Sequence, residues 1–109
     1  MSNYARGRTR EYQTMHILRS DGWVCSRSAM SHGPVDVFAA KSGRILLIQV
    51  KSGSSRMKSG EVDILKLWAE HFNASAEIWY YKKRGKLQKH CVRKQFLAEP
   101  AIAVSPSLP

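Results

Sequence analysis

The sequence predicts a mixed α/β domain built on one β-sheet, in the order helix, three strands, helix, two strands. Three observations carry that expectation. Two segments, residues 8–20 and 59–72, place apolar residues at helical spacing. Ile45-Leu46-Leu47-Ile48 is an unbroken apolar run with no polar face, as expected of a central strand covered on both sides. Lys41-Ser42-Gly43 and Lys83-Arg84-Gly85 are short turns between strand-like segments.

The first helix is expected from Arg8 or Thr9 to Ser20, with Asp21-Gly22 as its stop. Glu11, Met15 and Leu18 fall on its inward stripe. A carboxylate there is costly to bury without a partner. Glu11 therefore either has one or turns into water beside Arg8 or Arg10. Strands are expected over residues 23–28, 35–40 and 44–51, the last two forming a hairpin. Residues 52–59 form a polar loop carrying Arg56 and Lys58. Ser59 or Gly60 should cap the second helix, with Glu61 and Asp63 in its first turn and Ile64, Leu65, Leu67, Trp68 and Phe72 as its apolar face. Residues 77–82 and 86–92 read as the last two strands. The domain should end near residue 97, before a loosely ordered tail over residues 98–109 rich in proline and small residues.

A length of 109 residues favours one domain, and 43% hydrophobic residues suffice for a modest core. Lys and Arg outnumber Asp and Glu by 18 to 8, a formal charge of +10. So large an excess favours a polyanionic partner, nucleic acid ahead of membrane. No apolar run approaches the roughly 20 residues that span a bilayer, and the polar, basic start does not resemble a signal peptide. Cys25 and Cys91 lie far apart in predicted strands, outside any zinc-binding spacing, and read as reduced, buried thiols of an intracellular protein.

The chemistry is concentrated in Pro34-Val35-Asp36 and Ile48-Gln49-Val50-Lys51. Residues two apart on a strand share a face, so Gln49 and Lys51 project together. The hairpin can bring Asp36 to join them. Two oxygen donors for a divalent ion and an amine for a phosphate or attacking water are the needs of metal-assisted phosphodiester cleavage.

The ordered set Gly7-Arg8-Thr9-Arg10-Glu11, Gly22-Trp23, Arg27-Ser28-Ala29-Met30-Ser31, Val35-Asp36 and Ile48-Gln49-Val50-Lys51 resembles the archaeal-type Holliday junction resolvases and their viral relatives, across residues 7–92. That family belongs to the PD-(D/E)xK nucleases, which implies a restriction-endonuclease-like fold: a central mixed β-sheet flanked by helices. The resemblance implies a homodimeric, structure-selective endonuclease acting on four-way DNA junctions. Its family readings make Glu11 the acid of the first helix, Asp36 the first metal-binding carboxylate and Lys51 the catalytic lysine. Arg27 matches a basic residue ahead of that acid, and Ser31 a serine near the scissile phosphate. Gln49 stands where the resolvases usually carry Glu. Magnesium, with manganese as substitute, would be held by Asp36, the Gln49 amide oxygen, the Val50 carbonyl and Glu11. Arg6, Arg8, Arg10, Arg27, Arg56 and Lys58 would contact DNA phosphates. Two other readings stay open: the same nuclease fold acting on other branched or duplex DNA, and a DNA-binding relative that no longer cleaves.

Overall fold

The structure, a computed structural model, describes residues 3–28, 33–53 and 56–97, with the side chains of the first helix described from Arg8 onward. Its elements are α1 (Asn3–Ser20), β1 (Val24–Arg27), β2 (Val37–Lys41), β3 (Arg44–Ser52), α2 (Ser59–Phe72), β4 (Ser75–Tyr81) and β5 (Leu87–Arg93). They form one five-stranded sheet in the order β1-β2-β3-β4-β5. All neighbours are antiparallel except β3 and β4, which run parallel across the α2 crossover. The expected mixed sheet with helices against it is observed, and β3 is central.

Both helices end as local chemistry dictates. The Trp23 N–H donates to the Leu18 carbonyl and the Gly22 N–H to Arg19, with Gly22 at φ +88°. This Schellman closure uses the left-handed conformation that glycine adopts at no steric cost. α2 closes the same way on Asn73, at φ +48°. α1 begins at Asn3, earlier than expected: residues 3–8 contain no proline to stop the helix, although no acid in its first turn complements the helix dipole.

α1 packs on one face of the sheet. Met15 and Leu18 meet Val37, Ala39, Leu46, Ile48 and Val50 there. α2 packs on the other, where Leu65 and Ala69 meet Leu47, Ala76 and Ile78. β3 thus alternates Leu46, Ile48 and Val50 toward α1 with Leu47 toward α2, which explains its unbroken apolar run.

Three expectations are corrected. Only Leu65 and Ala69 of α2 are buried, while Ile64, Leu67, Trp68 and Phe72 are 38–50% exposed. Small residues at 69, 74 and 76 bring the helix onto the sheet along one narrow line, and the larger apolar side chains fall to one side of it. Cys91 is exposed and Cys25 half-buried, because they lie on β5 and β1, the two edge strands of the sheet. Asp36 precedes β2 and does not lie within it. The tail over residues 98–109 and Ser31 lie outside the described residues. No helix among the described residues is long and apolar enough to cross a membrane.

Candidate active site

The end of β3 organises the pocket. Val50 faces the α1 core, so Gln49 and Lys51 face the opposite side of the sheet, toward the start of α2. Just before β2, the Asp36 N–H donates to the Ile48 carbonyl at 2.8 Å. The Asp36 carboxylate in turn accepts the Val50 N–H at 2.8 Å. This double tie pins a carboxylate that is only 7% exposed beside the Gln49-Val50-Lys51 backbone. Glu11 reaches the same place from α1. A cavity of about 440 Å³ is lined by Glu11, Asp36, Gln49, Val50, Lys51 and Glu61, with Pro34, Met57 and Ile64 among its walls.

Glu11 is buried, and its partner is Arg27, whose Nη1 donates to Oε1 at 3.1 Å. The ion pair offsets the cost of taking the carboxylate out of water. It also raises the Arg27 guanidinium above its ordinary value, and the Tyr12 ring lies 4.9 Å from that group. Neither Arg8 nor Arg10 takes this role. Arg10 instead donates to Gln13 and lies over the Tyr81 ring.

Asp36 is pushed up to about 6, chiefly by burial. The Val50 N–H opposes that rise, the charge of Glu11 adds to it, and Lys51 and Arg27 draw it down. Across the pocket, Lys51 Nζ lies 3.9 Å from Glu61 Oε2. Glu61 also accepts the Lys58 N–H at 2.9 Å, and this bond, with Lys51, holds its carboxyl below the usual range. Lys58 is therefore the N-cap residue of α2, where Ser59 or Gly60 was expected, and Glu61 satisfies the open N–H.

Glu61 is the pocket residue that sequence reasoning placed only as a helix-dipole acid. Its signal was topological. A strand-helix-strand crossover sets the helix N-terminus beside the carboxyl end of the preceding strand, where open α/β sheets bind ligands.

The donors suit a hard cation in kind, since among the described residues the pocket presents carboxylate and amide oxygens without thiolate or imidazole. Among the described residues, no three His, Cys, Asp or Glu side chains stand close enough to hold an ion by themselves. Glu11 and Glu61 are each committed to a basic side chain. Asp36 has no such partner among the described residues, and its raised pKa marks negative charge that a cation would relieve. The residues therefore fit an ion centred on Asp36 with neutral oxygens beside it.

Of the expected DNA-contacting residues, Arg8, Arg56 and Lys58 are exposed. Arg27 is committed to Glu11, and Arg56 lines a separate groove beyond the pocket. The Arg6 side chain lies outside the described residues.

This fold has counterparts. Residues 2–103 match the sequence model of the family described as Archaeal holliday junction resolvase (hjc). No curated protein matches the chain. The solved structure of Hjc from the archaeal hyperthermophile Archaeoglobus fulgidus, a Holliday junction resolvase, is similar at a TM-score of 0.67 and 25% identity, over 77% of this chain and 74% of that one. The chain belongs to the archaeal Holliday junction resolvase family.

Proposed function

We propose that this chain resolves four-way DNA junctions as a homodimer by magnesium-dependent phosphodiester hydrolysis, leaving paired nicks. The observation that carries the reading is the convergence of Asp36, Gln49 and Lys51 with Glu11 in one pocket of a chain bearing +10 charge. A bound magnesium ion would polarise the scissile phosphate and lower the pKa of a water. Asp36, the Gln49 amide oxygen and the Val50 carbonyl would hold it, with Glu11 reaching it directly or through water. Lys51, steadied by Glu61, orients the attacking water or stabilises charge developing on the phosphate. Ser31 would lie near that phosphate. Arg6, Arg8, Arg56 and Lys58 would contact the DNA backbone, while Arg10 and Arg27 brace α1 and Glu11 at the rim.

A twofold dimer presents two such pockets to the two symmetric strands of a junction. Its surface is the uncovered stripe of α2, Ile64, Leu67, Trp68 and Phe72, continued by Phe38, whose ring centroid lies 6.2 Å from that of Phe72. Contiguous exposed aromatic and aliphatic side chains of this kind mark an association surface. Ile64 belongs both to the stripe and to the pocket wall, so the interface would border the site.

Gln49 supports a second reading, a junction-binding relative with cleavage lost, because a neutral amide removes one charge from the cation site. A labelled immobile four-way junction, with magnesium or EDTA, beside duplex and flap controls, separates the two. Paired symmetric nicks confined to the junction with magnesium support the resolvase. Binding without magnesium-dependent cuts supports the second reading. Cutting of the controls alone assigns the fold another substrate.

A further inference from the structure

Beyond the pocket, the basic side chains of the β4–β5 hairpin gather into two adjoining grooves. One, of about 350 Å³, is lined by Arg56, Tyr80, Lys82, Gln88, Lys89 and His90. The other, of about 480 Å³, shares Arg56 and Lys82 and adds Lys83, Arg84 and Lys86. Their position relative to the pocket follows from the register. Lys51 pairs with Tyr80, and Tyr80 pairs with Gln88, so the three form one row across β3, β4 and β5 on the same face of the sheet. Two strand spacings of about 4.8 Å put Gln88 roughly 10 Å from Lys51. Successive phosphates of one strand stand well over the axial rise of about 3.4 Å apart through space, so this spans about one to two nucleotides.

The groove has a single sign of charge. Residues 78–98 contain no Asp or Glu. Among the described residues, no carboxylate forms an ion pair with Arg56, Lys82, Lys83, Arg84, Lys86 or Lys89. The Lys82 ammonium rests on an aromatic ring, its Nζ 5.3 Å from the Tyr80 centroid on the pocket face of the sheet, whereas Lys89 Nζ lies 4.3 Å from the Trp79 ring on the α1 face. Such contacts hold long stems in place and reduce the ordering cost when an anion arrives. Lysines also guard exposed edge strands against pairing with other chains. That role would account for Lys89 on β5, but not for Arg56, which enters from the loop before α2, or for Lys82 in the turn. The convergence of three segments on one groove points to a ligand.

We infer that this groove is a second DNA-backbone subsite, holding phosphates about one to two nucleotides from the one placed at Lys51. Resting on the junction-nuclease reading of the pocket, it names the surface along which the substrate strand leaves that pocket. Its contacts are to phosphates, so it adds affinity and register without base preference.

The test is equilibrium binding of the full chain to an immobile four-way junction in EDTA, across roughly 50 to 200 mM salt. In the double variant K82Q/K86Q, the slope of log affinity on log salt falls by about 1.8, at about 0.9 for each phosphate no longer neutralised. Affinity at about 100 mM salt falls on the order of tenfold. R19Q/K66Q removes the same charge from exposed positions on the two helices and changes affinity less than about twofold. K82R/K86R, which keeps the charge, retains the wild-type slope and excludes loss of fold as the cause. Equal weakening by K82Q/K86Q and R19Q/K66Q, or an unchanged slope in K82Q/K86Q, overturns the subsite. If the wild type cuts no DNA but K82Q/K86Q still loses slope, the subsite stands and the resolvase reading fails.

Discussion

Replacing Asp36 with Asn should remove catalysis and stabilise the metal-free fold. Burial raises the carboxyl from 3.8 to about 6, so the folded protein binds this proton more tightly than the unfolded chain does. Stability from this group is full below about 4, falls as pH rises from about 4 to about 6, and stays reduced above that. The gap between 3.8 and about 6, at about 1.36 kcal/mol per pH unit, corresponds to about 3 kcal/mol lost at neutral pH. Asn carries no charge and can keep the Val50 N–H bond through its oxygen as the protonated acid does, and the help that bond gives the carboxylate is already contained in the net rise. D36N should therefore be more stable than wild type by about 3 kcal/mol at pH 7.5 in EDTA. The difference should vanish near pH 4. Urea unfolding at both pH values measures it, and magnesium should stabilise wild type but not D36N. A D36N protein no more stable than wild type at pH 7.5, or a difference equal at both pH values, would refute the assignment of buried, uncompensated charge to Asp36.

Other substitutions probe separate parts of the site. Arg27→Met leaves Glu11 buried without its partner and should cost about 3 kcal/mol in urea unfolding, whereas E11Q/R27M should recover most of that loss. Trp68→Asp places a charge in the exposed α2 stripe, and light scattering at micromolar concentration should find a monomer if that stripe forms the dimer. Lys51→Ala should abolish junction cleavage in single-turnover assays while binding in EDTA changes only a few-fold. Gln49→Glu should tighten magnesium binding by calorimetry while lowering metal-free stability at pH 7.5.

Local pattern carried much of this architecture, and the shortfalls share one cause. The run Ile45 to Ile48 announced a doubly covered strand because no alternation survives when both faces are buried. The placement of Gln49 and Lys51 followed from the two-residue period of that strand. Glu11 was legible as a carboxylate on the inward stripe, with burial and exposure both open, and its partner was not, since Arg27 lies 16 residues away on another element. Glu61 was hidden for the same reason, because only the β3-α2-β4 crossover brings its helix start to Lys51. The apolar stripe of α2 was visible, but periodicity reports that a helix is amphipathic and not what covers each side. The burial of Leu65 and Ala69, in place of the larger Trp68 and Phe72, was set by small residues on β4 and before it.

The charge balance of the pocket gives Gln49 a physical rationale. Glu11 is matched by Arg27 and Glu61 by Lys51, which leaves Asp36 as one unmatched negative charge among the described residues of the wall. A carboxylate at position 49 would be a second. At a separation of roughly 5 Å and an effective dielectric near 20, two such charges repel by about 3 kcal/mol. That repulsion is comparable with the desolvation Asp36 already bears, so a Glu there would raise Asp36 further and keep it protonated near neutral pH without a cation. With Gln49, Asp36 ionises at about 6, and the pocket stands ready for a cation at neutral pH. In the proposed site, the amide would weaken the hold on a metal while lowering the cost of holding the unliganded pocket together. Gln49→Glu should therefore move the two measurements in opposite directions. A variant equally stable in EDTA, or one that binds magnesium no more tightly, would show that position 49 does not set the charge of the site.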